Sequence, residues 1–448
     1  MILKLPGSLA ELLQQKLLGP GLVSLMIKMC GAIMTYGMFV AFARLLSPEH
    51  YGQFAFGMNL AIIAATIGGV GSATAIMRFW PQYTISGDDT GARSVVYLGY
   101  AAILAGGLAV LFLAVLTNFL PPKFTSIIPP TIYLAVAVLG LIISLGDYSS
   151  NLLRAQGSIL VSMLPRDVFW RIFSVLGLVL CVLQGFAASG VVALAICAGV
   201  LAGLTFWQFM HVRRRMAKTL KQPGMRNDWL KLRGSVWPLW ASSVVFALIQ
   251  QFDVVVVGTL LGTTEAGAYF AAQKTAMLLS LALIAAGMVG APKMAALFHA
   301  NRMEDLQRLC RVLAGAISIV TIIGFFLIVF AGKYLLAFFD PGFVSAYPVL
   351  LIVALGCVVD AMSGPSAYLM QMTVYEKLYL RVMLVSYLFV LSCQLVLVPR
   401  FGIIGAACSS TAGVILWNVW SIYILRRKAG LDPSLLSLFK PPQVRLTS

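Results

Sequence analysis

The chain has 448 residues, 60% of them hydrophobic and only 10% charged, with a formal net charge of +17. A soluble domain carries about 25% charged residues to cover its surface, so a water-covered globular fold is excluded. The positive excess sits in short loops between apolar runs, which sets it apart from a nucleic-acid footprint.

The apolar residues come in runs of roughly 20 or more, enough for a helix to cross ~30 Å of hydrocarbon. The ~10-residue alternating segments of a membrane β-barrel are not found. In chain order, about twelve spans are predicted: 21–44, 52–77, 94–119, 129–153, 160–184, 187–211, 235–261, 266–291, 310–331, 345–371, 379–398 and 403–424. No cleavable signal peptide is evident. Glu11, Gln14, Gln15 and Lys16 stand among leucines in the first eighteen residues, which suggests an amphipathic lead-in helix on the membrane surface.

The expected fold is therefore all-α and membrane-integral, with two six-helix bundles. The first covers 1–211 including the lead-in, and the second 235–424, with a basic linker at 212–234 and a tail at 425–448. With the N-terminus inside, cytoplasmic segments hold 26 of the 32 Lys and Arg residues. Outer positions hold five (Arg44, Lys123, Lys274, Lys333 and Arg400), and Lys28 lies within span 1. That bias places both termini in the cytoplasm. The linker runs through Arg213, Arg214, Arg215, Lys218, Lys221, Arg226, Lys231 and Arg233, a natural contact for anionic lipid headgroups.

The two halves repeat. LLSPEHYGQF from Leu45 and LLGTTEAGAY from Leu260 share an offset of 215, which also carries Arg78 onto Lys293 and Arg93 onto Arg308. At an offset of 210, LIISLG (Leu141–Gly146) falls on LIVALG (Leu351–Gly356), and Arg171 on Arg381. Six spans per half give both halves the same orientation, so the expected pseudo-two-fold runs along the membrane normal.

Several chemistries lack their residues. No GxxxxGK[ST] loop is present for ATP, and His50, His211 and His299 are scattered without metal spacing. The seven cysteines stand singly in or near spans, as small apolar packing residues. No cofactor, metal site or catalytic centre is expected, and no outer loop is long enough for a catalytic domain. Energy must come from a gradient, the membrane potential or the cargo's own concentration difference.

Ionisable residues inside spans carry the remaining signal, because a charge at the bilayer centre costs at least ~2.5–3.5 kcal/mol. Asp253 in span 7 and Lys274 in span 8 fall at similar depth. They read either as an ion pair that fixes packing or as an anion site with Lys274 facing a cleft. Lys28 in span 1 either snorkels to the inner headgroups or joins that site. Asp360, near the middle of span 10, is either a protonated structural group or a proton carrier. Asp147, Arg154, Arg166, Asp167 and Arg171 gather near the cytoplasmic interface, where anchoring competes with a headgroup entry site. Asp253, Asp360 and Asp147 are the candidates for ion or proton coupling.

Four segments carry a family resemblance: ARLLSPEHYGQFAFG, QQFDVVVVGTLLGTTEAGAYFAAQKTA, GKYLLAFFDPGFVSAYPVLLIVALG and PRFGIIGAACSSTAGVILWNVW. In these, over essentially its full length, the chain resembles the Wzx-type polysaccharide flippases of the multidrug/oligosaccharidyl-lipid/polysaccharide (MOP) exporter superfamily. The resemblance implies two bundles around a cationic cavity and passage of an undecaprenyl-diphosphate-linked oligosaccharide from inner to outer leaflet of a bacterial inner membrane. It implies headgroup contacts at Lys274 and Lys28, with polysaccharide polymerase and export machinery as candidate partners. The few cavity bases depart from the arginine-rich peptidoglycan-precursor flippases, which argues against lipid II as cargo. A gradient-driven multidrug or cation exporter of the same superfamily is the alternative, supported by Asp360 and Asp147. A membrane polymerase or ligase would need the large external loop that this chain lacks.

Overall fold

The computed structural model describes residues 19–119, 128–219, 229–371 and 373–438. The expected lead-in at 1–18, Lys123 and the centre of the basic linker lie outside them. All secondary structure among the described residues is helical, the form in which a chain in hydrocarbon satisfies its own backbone.

By their contacts the residues form two compact units, Met1–Val255 and Val256–Ser448. The first contains α1 (Gly19–Leu45), α2 (Pro48–Gly68), α3 (Ser72–Ile85), α4 (Asp89–Leu116), α5 (Pro130–Ala155), α6 (Ile159–Leu164), α7 (Trp170–Leu183) and α8 (Gly190–Thr219). It also takes most of α9 (Trp229–Leu260). The second contains α10 (Thr263–Ala276), α11 (Leu281–His299), α12 (Met303–Phe339), α13 (Tyr347–Met362), α14 (Ser366–Gln371) and α15 (Glu376–Lys428).

Among the described residues, ten helical segments are long and apolar enough to cross a membrane. Two more crossings complete the predicted twelve. One is α6 and α7, joined through a five-residue π-helix at Pro165–Phe169. The other comes from α15, whose 53 residues far exceed one crossing; it contains Pro399 and breaks at Gly402 (φ 61°, ψ −144°). Only glycine adopts that backbone readily, so the predicted division between 398 and 403 has a local cause.

Helix starts follow from short-range chemistry. Ser47 caps α2 by accepting the His50 N–H, with Pro48 at the first helical position. Asp88 caps α4 by accepting the Gly91 N–H at 2.8 Å. The predicted second span, by contrast, is interrupted, because α2 stops at Gly68 and α3 begins at Ser72. Val70 (φ 46°) and Gly71 (φ 69°) make the break, a strained backbone for a β-branched residue. It is fixed from outside: the Trp240 indole donates to the Ile67 carbonyl at 3.0 Å, and Trp240 packs directly on the bare Cα of Gly71.

Helix α5 organises the first unit, packing on α2, α3, α4 and α8. Tyr148, fully buried, donates to the Val95 and Val96 carbonyls at 3.0 and 3.1 Å. Ser144 donates to the Ala65 carbonyl at 2.6 Å, and Asn151 to the Ala73 carbonyl at 2.8 Å. These two side chains thus bind backbone on either side of the α2–α3 break.

Pro165 has no N–H, so the Val161 carbonyl four residues earlier loses its helical partner. Gln208 of α8 supplies one: its Nε2 donates to the carbonyls of Val161 and Ser162 at 2.9 and 3.0 Å. Gln208→Leu therefore leaves the interior Val161 carbonyl without a donor, at about 1–3 kcal/mol. The expected result is a lowered Tm in thermal unfolding of the purified protein. A Tm equal to that of the native protein would show that the π-turn does not need this donor.

In the second unit the chain after α15 folds back as a strap. The Asp432 backbone N–H donates to Gln307 Oε1 at 2.8 Å, and its carbonyl accepts from Gln307 Nε2 at 2.6 Å. The Asp432 carboxylate meanwhile accepts from Arg426 at 2.6 Å. The Pro433 carbonyl sits where a side chain on Gly364 (φ 65°) would stand, in the turn between α13 and α14.

Candidate functional site

The π-turn concentrates charge. One helical turn before Gly31, Lys28 on α1 reaches Asp167, with Nζ 3.1 Å from one carboxylate oxygen and 3.3 Å from the other. Gly31 makes that reach possible, since a Cβ there would stand 2.9 Å from the Asp167 carbonyl. Arg171 NH1 lies 4.0 Å from Asp167 on the other side, and its Nε donates to Thr35 Oγ1 at 2.8 Å. Its guanidinium also donates to the Arg166 carbonyl inside the π-turn and lies over the Trp170 ring. Arg166 pairs with Asp147 of α5. Arg154, in the last turn of α5, is within electrostatic reach of Arg166, Asp167 and Asp147. Four cations thus surround two carboxylates, a surplus of two positive charges. Lys28 and Arg166 keep 43% and 35% of their side chains exposed, so the network can meet a ligand.

Asp147 links this network to a cavity. The cavity measures about 470 Å³, within the ~300–1,000 Å³ typical of small-molecule sites. Its walls are the α2–α3 break, α5 and α9. Ser144, Asp147 and Asn151 line it from α5, spaced i, i+3 and i+7 on one helical face. Ser242, Ser243, Gln250 and Gln251 face them from α9, with Thr66 and Thr74 at the break. Asp147 is the one ionisable side chain in this lining. Gln251 Oε1 is buried without a hydrogen-bond partner among the described residues.

Of the sequence candidates, Lys28 and Asp147 enter this assembly, drawn together by Asp167 and Arg166. The other three lie elsewhere. Asp253 is buried on α9 in the first unit. Lys274, on α10 of the second unit, stands 5.0 Å from the Phe270 ring centroid and 3.9 Å from Met277 Sδ. Asp360 accepts a hydrogen bond from Asn418 Nδ2 at 2.8 Å, and Asn418 accepts in turn from Ser366 at 3.3 Å. The neutral residues around Asp147 were not singled out from the sequence, although the polar stripe Ser144, Asp147, Asn151 in an apolar span was there to find them. Among the described residues, no group of His, Cys, Asp and Glu has the arrangement to hold a metal ion.

The fold is that of MOP superfamily transporters. An inward-facing multidrug-resistance MATE family transporter of that superfamily superposes with a TM-score of 0.72 at 15% identity, over 91% of this chain and 98% of that one. The lipid II flippase MurJ in an inward closed conformation superposes with a TM-score of 0.71 at 13% identity, over 90% of this chain and 87% of that one. A Pyrococcus furiosus MOP superfamily transporter, described as having a binding pocket of reverse polarity, reaches 0.62 at 16% identity, over 93% and 95%. No curated protein matches by sequence. The family model described as polysaccharide biosynthesis protein matches residues 18–298, more than half of the chain. The protein belongs to that family, as a multi-pass membrane protein with a transporter fold.

Proposed function

We propose that the protein moves an undecaprenyl-diphosphate-linked oligosaccharide from the inner to the outer leaflet of a bacterial cytoplasmic membrane, for O-antigen, capsule or exopolysaccharide synthesis. The observation that carries this reading is the surplus of two positive charges around Lys28, Asp167, Arg171, Arg166, Asp147 and Arg154. A diphosphate diester carries two negative charges, and taking them bare through hydrocarbon is prohibitive. Beside this network the charges are offset, so the loaded protein is close to neutral there.

Transport then divides by chemistry. The diphosphate docks on Lys28, Arg166 and Arg171; the sugars enter the adjoining cavity; the polyprenyl chain stays in lipid. Lys274 is the other basic residue proposed to meet the headgroup. Asp147 responds to the cargo directly, because a diphosphate competes with it for Arg166. The carboxylate so released is free to take up a proton, which gives coupling a physical basis. Asp253 and Asp360 are the other coupling candidates. Both termini face the cytoplasm, next to the anionic headgroups that the basic linker attracts. The polymerase and export machinery that receive the product are the proposed downstream partners.

The test is reconstitution into vesicles loaded on one leaflet with undecaprenyl-diphosphate-linked sugar. The expected result is protein-dependent appearance of the sugar on the opposite face. Appearance at the rate of protein-free vesicles would overturn the proposal, and efflux of an organic cation in its place would favour the multidrug reading.

A further inference from the structure

One face of α9 closes the cavity beside the charged network. Val236, Trp240, Ser243, Ala247 and Gln250 follow one another at i, i+4, i+7, i+11 and i+14, a single helical stripe. The first two anchor it. Val236 is buried in the cluster that holds Ala75, Ile76 and Phe79 of α3, and Trp240 sits on the α2–α3 break. The last three line the cavity. The Trp240 anchor stands in for a backbone hydrogen bond. In an unbroken helix the Ile67 carbonyl would accept the Gly71 N–H, four residues on. At the break it accepts the Trp240 indole N–H at 3.0 Å, beside a longer bond of 3.3 Å from the Val70 N–H. Val70 at φ 46° holds a backbone that a β-branched side chain disfavours, so the turn is strained for as long as Trp240 keeps it. Ser144 and Asn151 fix the carbonyls of Ala65 and Ala73 on either side, which confines any rearrangement to the turn between them.

From this arrangement we propose that the first half of α9 is a lid on the cavity, latched by Trp240, and that its release is coupled to closure of the α2–α3 break. The two events are one exchange of donors. When Trp240 leaves, the Ile67 carbonyl takes the Gly71 N–H, Val70 returns to right-handed backbone, and the two helices join. The latched state has the indole hydrogen bond and the packing of Trp240 on Gly71; the released state is rid of the Val70 strain. The carbonyl is paired in both, so the exchange leaves no buried acceptor bare, as suits a two-state element. Release carries Ser243, Ala247 and Gln250 away from Ser144, Asp147 and Asn151 and opens the cavity, whatever cargo it takes. Glycine at 71 is a condition of the latch, because a Cβ there would stand 3.1 Å from the Trp240 Cα and 3.2 Å from its N.

The full-length protein in lipid nanodiscs gives two readouts. Hydrogen exchange over residues 67–72, corrected for intrinsic rates, reports the break. Reaction of Ala247→Cys with a charged thiol reagent, measured against the same protein without that substitution, reports the lid, since Ala247 is 8% exposed. Trp240→Ala is expected to slow exchange at the break at least about fivefold, because a helical bond forms there. It is expected to speed thiol labelling at least about threefold. Gly71→Ala is expected to do the same, through the Cβ for which Trp240 leaves no room. Val70→Gly relieves the strain of the latched state without adding an atom, and is expected to slow labelling at least about threefold. Faster exchange at the break in Trp240→Ala would overturn the proposal, because losing a side chain that merely props the turn loosens it. Labelling that stays unchanged, or that moves without the exchange, would overturn it too. Should the first two variants fail to fold, Val70→Gly decides alone, and labelling at or above the native rate would sink the latch. No readout here involves cargo, so the flippase reading is tested separately.

Discussion

Asp167→Leu is expected to be among the most damaging single substitutions in the first unit, and a second substitution is expected to undo only half of the damage. Asp167 holds Lys28 on one side and faces Arg171 on the other, with its own side chain 12% exposed. Removing it strands the mostly buried Arg171 and the half-exposed Lys28; breaking a fully buried pair costs about 3–5 kcal/mol, and solvent screening of Lys28 puts this loss at or below about 3 kcal/mol. The measured consequence is loss of folded protein after membrane extraction, seen as a collapsed Tm and low yield. Replacing both members of a pair with apolar residues is often tolerated, so Lys28→Met with Asp167→Leu is expected to recover most of the folded yield. Transport should not recover, because the double variant has lost a cation that the diphosphate needs. A folded double variant with native flipping rates would assign this pair to packing alone.

Lys274 carries the second large effect, read in the voltage dependence of transport. An empty carrier with surplus positive charge within the membrane is drawn toward the negative cytoplasmic side. The energy is ~2.3 kcal/mol per charge per 100 mV when the whole field is crossed. A charge moving through half the field gains about 1.2 kcal/mol, roughly a sevenfold bias toward the state that accepts cytoplasmic cargo. The expected result is faster flipping by the native protein in vesicles held at an inside-negative potential, and a weakened response in Lys274→Ala. Equal potential dependence in the two proteins, or none in the native one, would show that the coupling charge is elsewhere.

What was legible in the sequence follows from the range of the interactions involved. The spans could be read because hydrocarbon imposes one length and one composition on every crossing. The division of α15 was visible as Pro399 and Gly402, two residues that act locally. The π-turn at Pro165–Phe169 was not visible, since it depends on Gln208 arriving from another helix to take the orphaned Val161 carbonyl. The α2–α3 break escaped for the same reason. Val70 and Gly71 sit in an ordinary apolar run, and it is Trp240 that anchors the break from a distance in sequence. At the site, Lys28 and Asp147 stood out as charges in apolar spans. The grouping of Asp147 with Arg154, Arg166, Asp167 and Arg171 was legible too, but not that Lys28 joins them, because Lys28 and Asp167 are 139 residues apart and it is Gly31 that lets their helices meet. The polar cavity beside Asp147 was harder still. Serine and threonine in a membrane helix look alike whether or not their protons are engaged, and only the geometry tells the two apart.

The strap after α15 bears on how the protein is made. Leu431 and Asp432 leave the ribosome after every helix they lock onto, yet Leu431 is buried in the second unit's core and Asp432 ties Gln307 by two backbone hydrogen bonds. Until they arrive, the Gln307 amide on α12 lacks these partners and the backbone cleft at Gly364 stands open. The second unit can therefore insert helix by helix as it is synthesised, but it is sealed only by its last described segment. A nascent chain stalled just short of Leu431 would hold its crossings in the bilayer with an unlatched end, a natural substrate for membrane quality-control proteases.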